Sequence, residues 1–255
     1  YELYCNDESD ESIPSTRVNA QELILDLLKE RAETGRIYIM NIDHCNSHSS
    51  FKDKVEMSNL CQEITLPTHP IQHIDDNLGE IALCILSAVN VGTVRSDKEL
   101  EDLCDLAVRG LEELIDYQQY PVLAAEQATK SRRSLGVGFI GLAHYLAKLG
   151  FKYDSQEAWD AVHGLAESFQ YYLLKSSCKI AEEKGWCENF GRTKYADGIL
   201  PIDTYKKDVD EISSQELQHD WDSLRNDITT HGLRHSTLSA QMPSESSSVV
   251  SNATN

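Results

Sequence analysis

The sequence predicts an α/β fold in which helices cover a mainly parallel β-sheet. Apolar, β-prone runs at 81–91, 134–140 and 236–241 are separated by long segments with helical periodicity. Strands that alternate with helices favour parallel pairing, with the helices outside the sheet. The near-continuous apolar run at 81–91 is typical of a strand buried on both faces. This pattern is compatible with a closed barrel and with an open sheet alike.

The remaining elements follow from periodicity and from capping residues. A helix over 18–33 ends at Gly35, and the β-rich run Arg36–Asp43 leads into a polar loop. The longest helix has Asp154 and Ser155 as cap candidates and stops at Gly185. Pro121 suits a first helical position. The further helices are predicted at 97–116, 121–131, 141–149, 155–184 and near 215–231.

Composition excludes several classes of protein. The chain has 255 residues, of which 40% are hydrophobic, so it is long and apolar enough to form a sizeable core. It contains no apolar run of about 18 residues that would predict a membrane span. Its net charge of −19 repels nucleic acid backbones and anionic membranes, so we expect neither as a partner. A small phosphorylated ligand in a local pocket stays possible.

Cysteine usage predicts a reducing compartment. The chain has seven cysteines, an odd number, without a C-x-x-C motif, so a secreted disulfide framework is not expected. We find no signal peptide and expect a cytoplasmic protein. Residue 1 is Tyr rather than Met, and we expect the chain to be a piece of something longer. An excerpt or an intein-flanked segment is favoured over one product of a split gene.

The segment Asn59-Leu60-Cys61-Gln62-Glu63 holds three reactive side-chain types at alternate positions. In extended backbone, Asn59, Cys61 and Glu63 would point to one side. An amide can then orient a hydroxyl, a thiol can donate an electron or a hydrogen atom, and a carboxylate can take a proton. Taken alone, the segment fits a polar surface strand better.

Other motifs favour structural roles over binding. Gly136-Val137-Gly138-Phe139-Ile140-Gly141 matches G-x-G-x-x-G, but the acidic residues at the distance required for a dinucleotide fall inside a helix. The glycines are expected to let a strand and a helix approach closely. The histidines and cysteine of 43–48 lack the second ligand cluster of a zinc site, so a polar loop is favoured and no metal is expected.

Residues 243–248 and Cys84 each fit a structural interpretation and a functional one. Residues 243–248 (PSESSS) follow a predicted strand and precede a helix, where unpaired N–H groups and hydroxyls can bind phosphate or merely cap the helix. Cys84 lies inside the apolar run and is expected to be an inert buried thiol unless a neighbouring strand brings it beside Cys61.

Taken together, these motifs resemble a known family. Asn59-x-Cys61-x-Glu63, Glu80-Ile81-Ala82-Leu83-Cys84 and Met242-Pro243-Ser244-Glu245-Ser246-Ser247 occur in the order found in the catalytic large (alpha) subunit of class I ribonucleoside-diphosphate reductase. The segments 34–39 and 198–207 extend the resemblance, which is to the enterobacterial and T-even-phage type and covers essentially the whole chain.

The resemblance implies a fold and residue roles. The chain would be the second half of a ten-stranded α/β barrel with a radical-cysteine finger loop: strands and finger loop at 35–92, a mainly helical part at 93–235, and a strand with a phosphate-binding turn at 236–255. Cys61 would form the thiyl radical, Glu63 would be the base, and Asn59 would bind ribose hydroxyls. Cys84 would be one of two reducing cysteines. The substrate diphosphate would bind at Pro243, Ser244, Glu245, Ser246 and Ser247.

The resemblance also implies partners and missing parts. No cofactor is expected in this segment, because a diiron-tyrosyl radical would reside in a small (beta) subunit and ATP or dNTP effectors would bind elsewhere. We expect the remaining large-subunit segments, the small subunit, thioredoxin or glutaredoxin, and a ribonucleoside diphosphate substrate as partners. A non-catalytic assembly module and an adenosylcobalamin-dependent relative are the alternatives.

Overall fold

The computed structural model describes residues 2–3, 16–76, 78–213 and 215–255. The chain divides into two compact units, Tyr1–Asn41 and Ile42–Asn255. In the part of the chain that is described, no helix combines the length and the apolar character that crossing a membrane requires.

The described part of the first unit contains one short pair of strands and one helix. Strands β1 (Glu2–Leu3) and β2 (Thr16–Arg17) pair antiparallel, and helix α1 spans Ala20–Thr34. Asn19 caps the first turn, and Gly35 ends the helix with a φ of 66°, which a residue without Cβ adopts freely. The helix predicted at 18–33 is thus confirmed. None of its residues is buried.

The prediction of a strand at Arg36–Asp43 is wrong. Residues 36–41 have no regular structure, and Ile42–His48 forms helix α2, which begins the second unit. Strands need a pairing partner to satisfy their backbone groups, and no described strand lies beside 36–41. Asn46 stabilises the helical alternative, because its side-chain amide donates to the carbonyls of Ile42 and Val55.

The second unit is an α/β arrangement, as predicted. Its sheet contains β3 and β4, which pair parallel in a register from Ile85↔Leu135 to Asn90↔Ile140. Three short 3-10 helices at Phe190–Arg192, Lys194–Asp197 and Lys207–Glu211 lie between the α-helices. The elements after α2 are β3 (Ile85–Asn90), α3 (Asp97–Tyr117), α4 (Leu123–Arg132), β4 (Leu135–Ile140), α5 (Leu142–Leu149), α6 (Gln156–Lys184), α7 (Pro201–Thr204), α8 (Trp221–His231) and α9 (Glu245–Val250).

The three predicted strands of this unit have different outcomes. β4 matches the prediction for 134–140. The run at 81–91 forms β3 but is not buried on both faces, since Leu86 is 41% exposed and β4 is its only described neighbour. The segment predicted as a strand at 236–241 runs along the other edge of β4. It forms a single parallel bridge, Val137↔Ser239, and no continuous ladder.

The core lies between the sheet and the helices α3 and α6. Both helices have a serine N-cap, Ser96 and Ser155, whose hydroxyl accepts a backbone N–H, and α6 ends at Gly185 as predicted. The predicted helices 97–116, 121–131, 141–149 and 155–184 are confirmed. α4 begins two residues after Pro121, and the helix predicted near 215–231 begins at Trp221. The largest fully buried apolar side chains are Ile115, Leu135, Leu173, Leu174, Ile180, Leu200, Ile228, Leu233 and Leu238.

A buried ionic cluster joins α3 to the end of the α4–β4 connection. Glu112, which is 1% exposed, accepts from Arg133 Nε at 2.7 Å and from Arg234 Nε at 2.8 Å, and its Oε2 lies 3.1 Å from His235 Nε2. Burial alone would raise the pKa of Glu112, but these hydrogen bonds hold it well below its usual range. The carboxylate is therefore ionised at neutral pH, and it accepts from two buried side chains, Arg133 and His235, and from the partly buried Arg234.

We expect Glu112→Gln to destabilise the chain by about 3–5 kcal/mol, because it leaves buried arginine charge without its partner. Urea unfolding followed by circular dichroism measures the loss. Glu113→Gln is the matched control. Glu113 is the next residue, it is exposed and it pairs with Lys184 at the surface, so its loss should be below about 1 kcal/mol. Equal losses for both variants would contradict a special role for Glu112.

The lowered pKa of His235 should make the stability of the chain depend on pH. Burial lowers its pKa, and a neutral ring explains both contacts: Nε2–H donates to Glu112 while Nδ1 accepts from the Ser177 hydroxyl at 2.9 Å. Below a pH of about 6.5 the unfolded chain binds a proton that the folded chain does not bind, so stability falls as the pH falls. We expect this slope to decrease by up to about 1.4 kcal/mol per pH unit in His235→Gln. Urea-unfolding midpoints of the parent and of His235→Gln between pH 5 and pH 8 measure the two slopes. Identical slopes would contradict a neutral, buried His235.

Candidate functional site

The segment 59–63 is a tight turn, so the prediction of extended backbone is wrong. Asn59 N donates to Ile64 O at 3.4 Å, and Gln62 N donates to Asn59 O at 3.2 Å. Gln62 has a φ of 59°, in the left-handed region that side chains rarely adopt. The alternation of faces therefore does not apply to these residues.

The turn nevertheless brings the predicted amide and carboxylate together. Asn59 Nδ2 donates to Glu63 Oε2, and Asn59 Oδ1 accepts the backbone N–H of Ile64 at 3.2 Å. Cys61 lies at the exposed tip beside Leu60, which is 86% exposed. The amide thus fixes the carboxylate, while the thiol is open to a reactant.

Cys84 lies just before β3 and is electrostatically linked to the turn. It is half-buried, and burial, followed by the negative charge of Glu63, raises the pKa of its thiol to about 11. The thiol is therefore protonated at neutral pH. Cys84 is close enough to the turn for the negative charge of Glu63 to contribute to this higher pKa. The described cysteines are free thiols, and Cys5 lies outside the described residues.

The turn packs against the sheet at a glycine. A Cβ on Gly136 would lie 2.5 Å from Leu86, 3.1 Å from Ala240 and 3.9 Å from Ile64. The residue after Glu63, strand β3 and the 237–240 segment thus meet at this point of β4. Glu63 also lines a cavity of about 240 Å³, with Ser50, Thr65, Gln170, Lys194 and Tyr195 among its other walls.

The segment 243–247 begins helix α9, as the sequence predicts. Ser244 is buried at the N-cap position, and its hydroxyl donates to Met242 O at 3.0 Å. The Ser247 hydroxyl donates to Ser244 O at 3.1 Å. Pro243, Glu245 and Ser246 are exposed. Within the described residues, no hydrogen bond joins this segment to Asn59, Cys61, Glu63 or Cys84.

The glycine motif has the predicted structural role. A Cβ on Gly138 would lie 2.5 Å from Ala240 O, and one on Gly141 would lie 2.3 Å from Asn90 Oδ1. Gly141 also has a φ of 82°. The neighbours are the 237–240 segment and the end of β3 rather than a helix, so close approach is confirmed but with different partners.

The polar loop predicted at 43–48 is helix α2. The rings of His44 and His48 pack edge to face with centroids 6.3 Å apart, and His48 contacts Thr204 O. Among the described residues, no three His, Cys, Asp or Glu side chains are grouped so that they could hold a metal ion.

The sequence analysis did not predict the ion pairs at the two ends of the segment that contains the turn. Asp53 precedes the turn, Glu80 follows it, and both accept hydrogen bonds from Arg132. The available signal was a pair of arginines, Arg132 and Arg133, just ahead of a buried strand, where a charge needs carboxylate partners. The identity of those partners depends on tertiary contacts.

Comparisons with known proteins identify the family to which the chain is similar. The family model described as "Ribonucleotide reductase, barrel domain" matches residues 1–255. The chain is 56% identical to ribonucleoside-diphosphate reductase subunit alpha of Haemophilus influenzae over 257 residues, which is 100% of this chain and 34% of that protein. It is 54% identical to ribonucleoside-diphosphate reductase 1 subunit alpha of Escherichia coli, covering 99% of this chain and 34% of the relative.

A phage protein is similar to the chain over the same length. The chain is 43% identical to ribonucleoside-diphosphate reductase subunit alpha of Enterobacteria phage T4, with 100% of this chain and 34% of the relative covered. The resemblance inferred from the motifs is therefore confirmed. The chain spans about a third of the length of the curated relatives it matches. Because a model of the barrel domain matches its full length, the chain belongs to the ribonucleotide reductase barrel-domain family.

Proposed function

We propose that this chain is the catalytic segment of a ribonucleoside-diphosphate reductase. It would reduce ribonucleoside diphosphates to 2′-deoxyribonucleoside diphosphates by a thiyl-radical mechanism. The observation that carries the proposal is the turn at 59–63, which pairs Asn59 with Glu63 beneath an exposed Cys61 and lies close enough to Cys84 to raise the pKa of its thiol.

The first step would use the turn. The thiyl form of Cys61 takes the 3′-hydrogen atom of the ribose, so that a C–H bond breaks and the S–H bond forms. Glu63 accepts the proton of the 3′-hydroxyl, and Asn59 hydrogen-bonds the ribose hydroxyls. The amide that already orients Glu63 supports this assignment, since general-base catalysis requires a fixed acceptor within hydrogen-bond reach.

Cys84 would supply reducing equivalents to the 2′-position. The 2′-hydroxyl takes a proton from one of two thiols, Cys84 or a second cysteine in the rest of the large subunit, and leaves as water. C2′ takes a hydrogen from the other thiol, and the two sulfurs give two electrons and form a disulfide. Cys61 then returns its hydrogen atom to C3′, which restores the thiyl radical, and Glu63 returns the proton to the 3′-oxygen. The pKa of about 11 supports a thiol that is protonated before the reaction. Thioredoxin or glutaredoxin would then reduce the disulfide.

The substrate diphosphate would bind at residues 243–247. The first-turn N–H groups of α9 have no intrahelical acceptors, and Ser244 and Ser247 lie at this end of the helix. The hydroxyls now donate to backbone carbonyls, so binding would require them to rotate toward the ligand. Exposed Ser246 can do so without losing a buried contact.

The finer architecture is part of the proposal. β3, β4 and the segment 237–240 would be neighbouring strands in the second half of a ten-stranded barrel, and its finger loop would lie within residues 35–92. One partial barrel domain over residues 1–255 stays a prediction. A diiron-tyrosyl radical in a small subunit would generate the thiyl radical, effectors would bind elsewhere in the large subunit, and the complex would be cytoplasmic.

Cys61→Ser, introduced into the complete large subunit with its small subunit and reductant, should abolish the formation of deoxyribonucleoside diphosphates. We expect a loss on the order of 10³-fold or more, because a hydroxyl cannot replace the thiol in hydrogen-atom transfer. Product formation measured by chromatography tests this. Cys45→Ser is the control, since Cys45 is half-buried on α2 and lies outside the turn. Unchanged turnover in Cys61→Ser would favour the assembly-module alternative.

The isolated chain should be inactive with a small subunit and reductant. It spans about a third of its relatives, and the second reducing cysteine and the radical path would lie in the remainder. The assay is the same product measurement on the purified 255-residue chain. Detectable deoxyribonucleotide would show that this proposed division of the reaction is wrong.

A further inference from the structure

We propose that Arg132 is a positioning residue that ties together the two ends of the segment bearing Cys61. This segment, residues 54–79, is called the Cys61 loop below. Asp53 precedes the loop and Glu80 follows it, so the two carboxylates mark its base. The proposal rests on the proposed function for its effect on turnover, but its structural part can be tested separately.

Arg132 joins the two carboxylates directly. It is the last residue of α4 and is 2% exposed. Its Nη1 donates to Asp53 Oδ2 at 2.9 Å, and its Nη2 donates to Glu80 Oε2 at 2.7 Å. The two ends of a planar guanidinium thus hold one carboxylate each, a geometry that fixes the distance between them.

Neighbouring groups complete the base. Arg192 donates to Asp53 Oδ1 at 2.9 Å, and its Nη1 lies 3.9 Å from Glu80. His69 Nδ1 lies 2.7 Å from Glu80 Oε2, and the backbones of His69 and Glu80 form an antiparallel bridge. Burial would raise the pKa of Asp53 and Glu80, but the hydrogen bonds from Arg132 hold the pKa of each carboxyl below its ordinary value.

The Cys61 loop is packed unevenly. Val55, Ile64 and Leu66 are buried in the core, whereas Leu60, Ile74 and Leu78 are each at least 66% exposed, so few apolar contacts oppose motion of the parts around these exposed residues. The Arg132 Nε–H is buried and has no acceptor among the described residues. A buried N–H without an acceptor is costly, which argues that the position of the guanidinium is set by the two carboxylates.

A loosened Cys61 loop should affect the rate of the reaction more than the binding of substrate. The diphosphate would be held at 243–247, to which no described hydrogen bond joins the Arg132 side chain, whereas the thiol of Cys61 depends on the loop for its position. Displacement of a reacting group by about 1 Å can cost about a hundredfold in rate. Loosening the loop should therefore lower kcat and leave KM nearly unchanged.

The test compares Arg132→Lys with Arg133→Lys in the complete large subunit. Both residues are buried arginines that each hold two carboxylates, but Arg133 contacts Glu112 and Asp116 rather than the loop base. A lysine keeps the charge but cannot hold two carboxylates bidentately. Hydrogen–deuterium exchange of the loop amides and steady-state kinetics are measured for each variant.

We expect Arg132→Lys to accelerate exchange of the amides in 58–80 by about tenfold or more. It should lower kcat by about tenfold or more, with KM within about twofold of the parent. Arg133→Lys should change neither the loop exchange nor kcat per folded molecule. Glu80→Gln, which removes the carboxylate on one side only, should act in the direction of Arg132→Lys and serves if that variant does not fold.

Loop exchange that is unchanged in both Arg132→Lys and Glu80→Gln would overturn the proposal. So would a loosened loop with parental kcat, or equal effects of the two arginine variants. Failure of the proposed function has a different signature, because Cys61→Ser would then keep its turnover whatever the exchange of the loop shows.

Discussion

The junction between α4 and β4 places two consecutive positive charges in the interior. Arg132 ends the helix, and Arg133 follows with a φ of 49°, so that the chain reverses into the strand. An arginine cannot lose its charge when it is buried, and each one therefore requires carboxylates within hydrogen-bond distance. Arg132 meets Asp53 and Glu80, whereas Arg133 meets Glu112 and Asp116. Burying this pair constrains the rest of the second unit.

The constraint connects the core to the candidate site. Through Arg133, the junction is joined to α3 and the packed helices, and through Arg132 it is joined to both ends of the Cys61 loop. β4 then runs from the junction beside β3, and Gly136 lies against Leu86 and near Ile64, which directly follows the turn. The exposed Cys61 is thus attached to buried residues of the core. Such attachment is what a reactive thiol needs if substrate is to meet it in one orientation.

Local signals predicted much of the fold. The caps at Ser155 and Gly185, the periodicity of α3 and the apolar run of β4 are decided by nearby residues, and these elements were confirmed. The run Arg36–Asp43 looks like a strand by composition, but β-structure depends on a partner that the described chain does not place beside it. Leu86 on β3 is exposed although it has a strand partner, because side-chain burial depends on what covers the face of the sheet.

The site was predictable in its residue types but not in its geometry. Spacing identified Asn59, Cys61 and Glu63, yet the positive φ of Gln62 makes the segment a turn, which alternation cannot reveal. The link between Glu63 and Cys84 and the ion pairs of Arg132 join residues far apart in sequence. No local pattern specifies such contacts.

A double-mutant cycle between Arg132 and Glu80 tests most directly whether this ion pair organises the loop base. The free energy of unfolding would be measured for the parent, Arg132→Met, Glu80→Gln and the double variant. We predict a coupling energy of about 2–3 kcal/mol, the upper range for residues in direct contact. A coupling energy near zero would show that the two ends of the Cys61 loop are held by other contacts and would contradict the account.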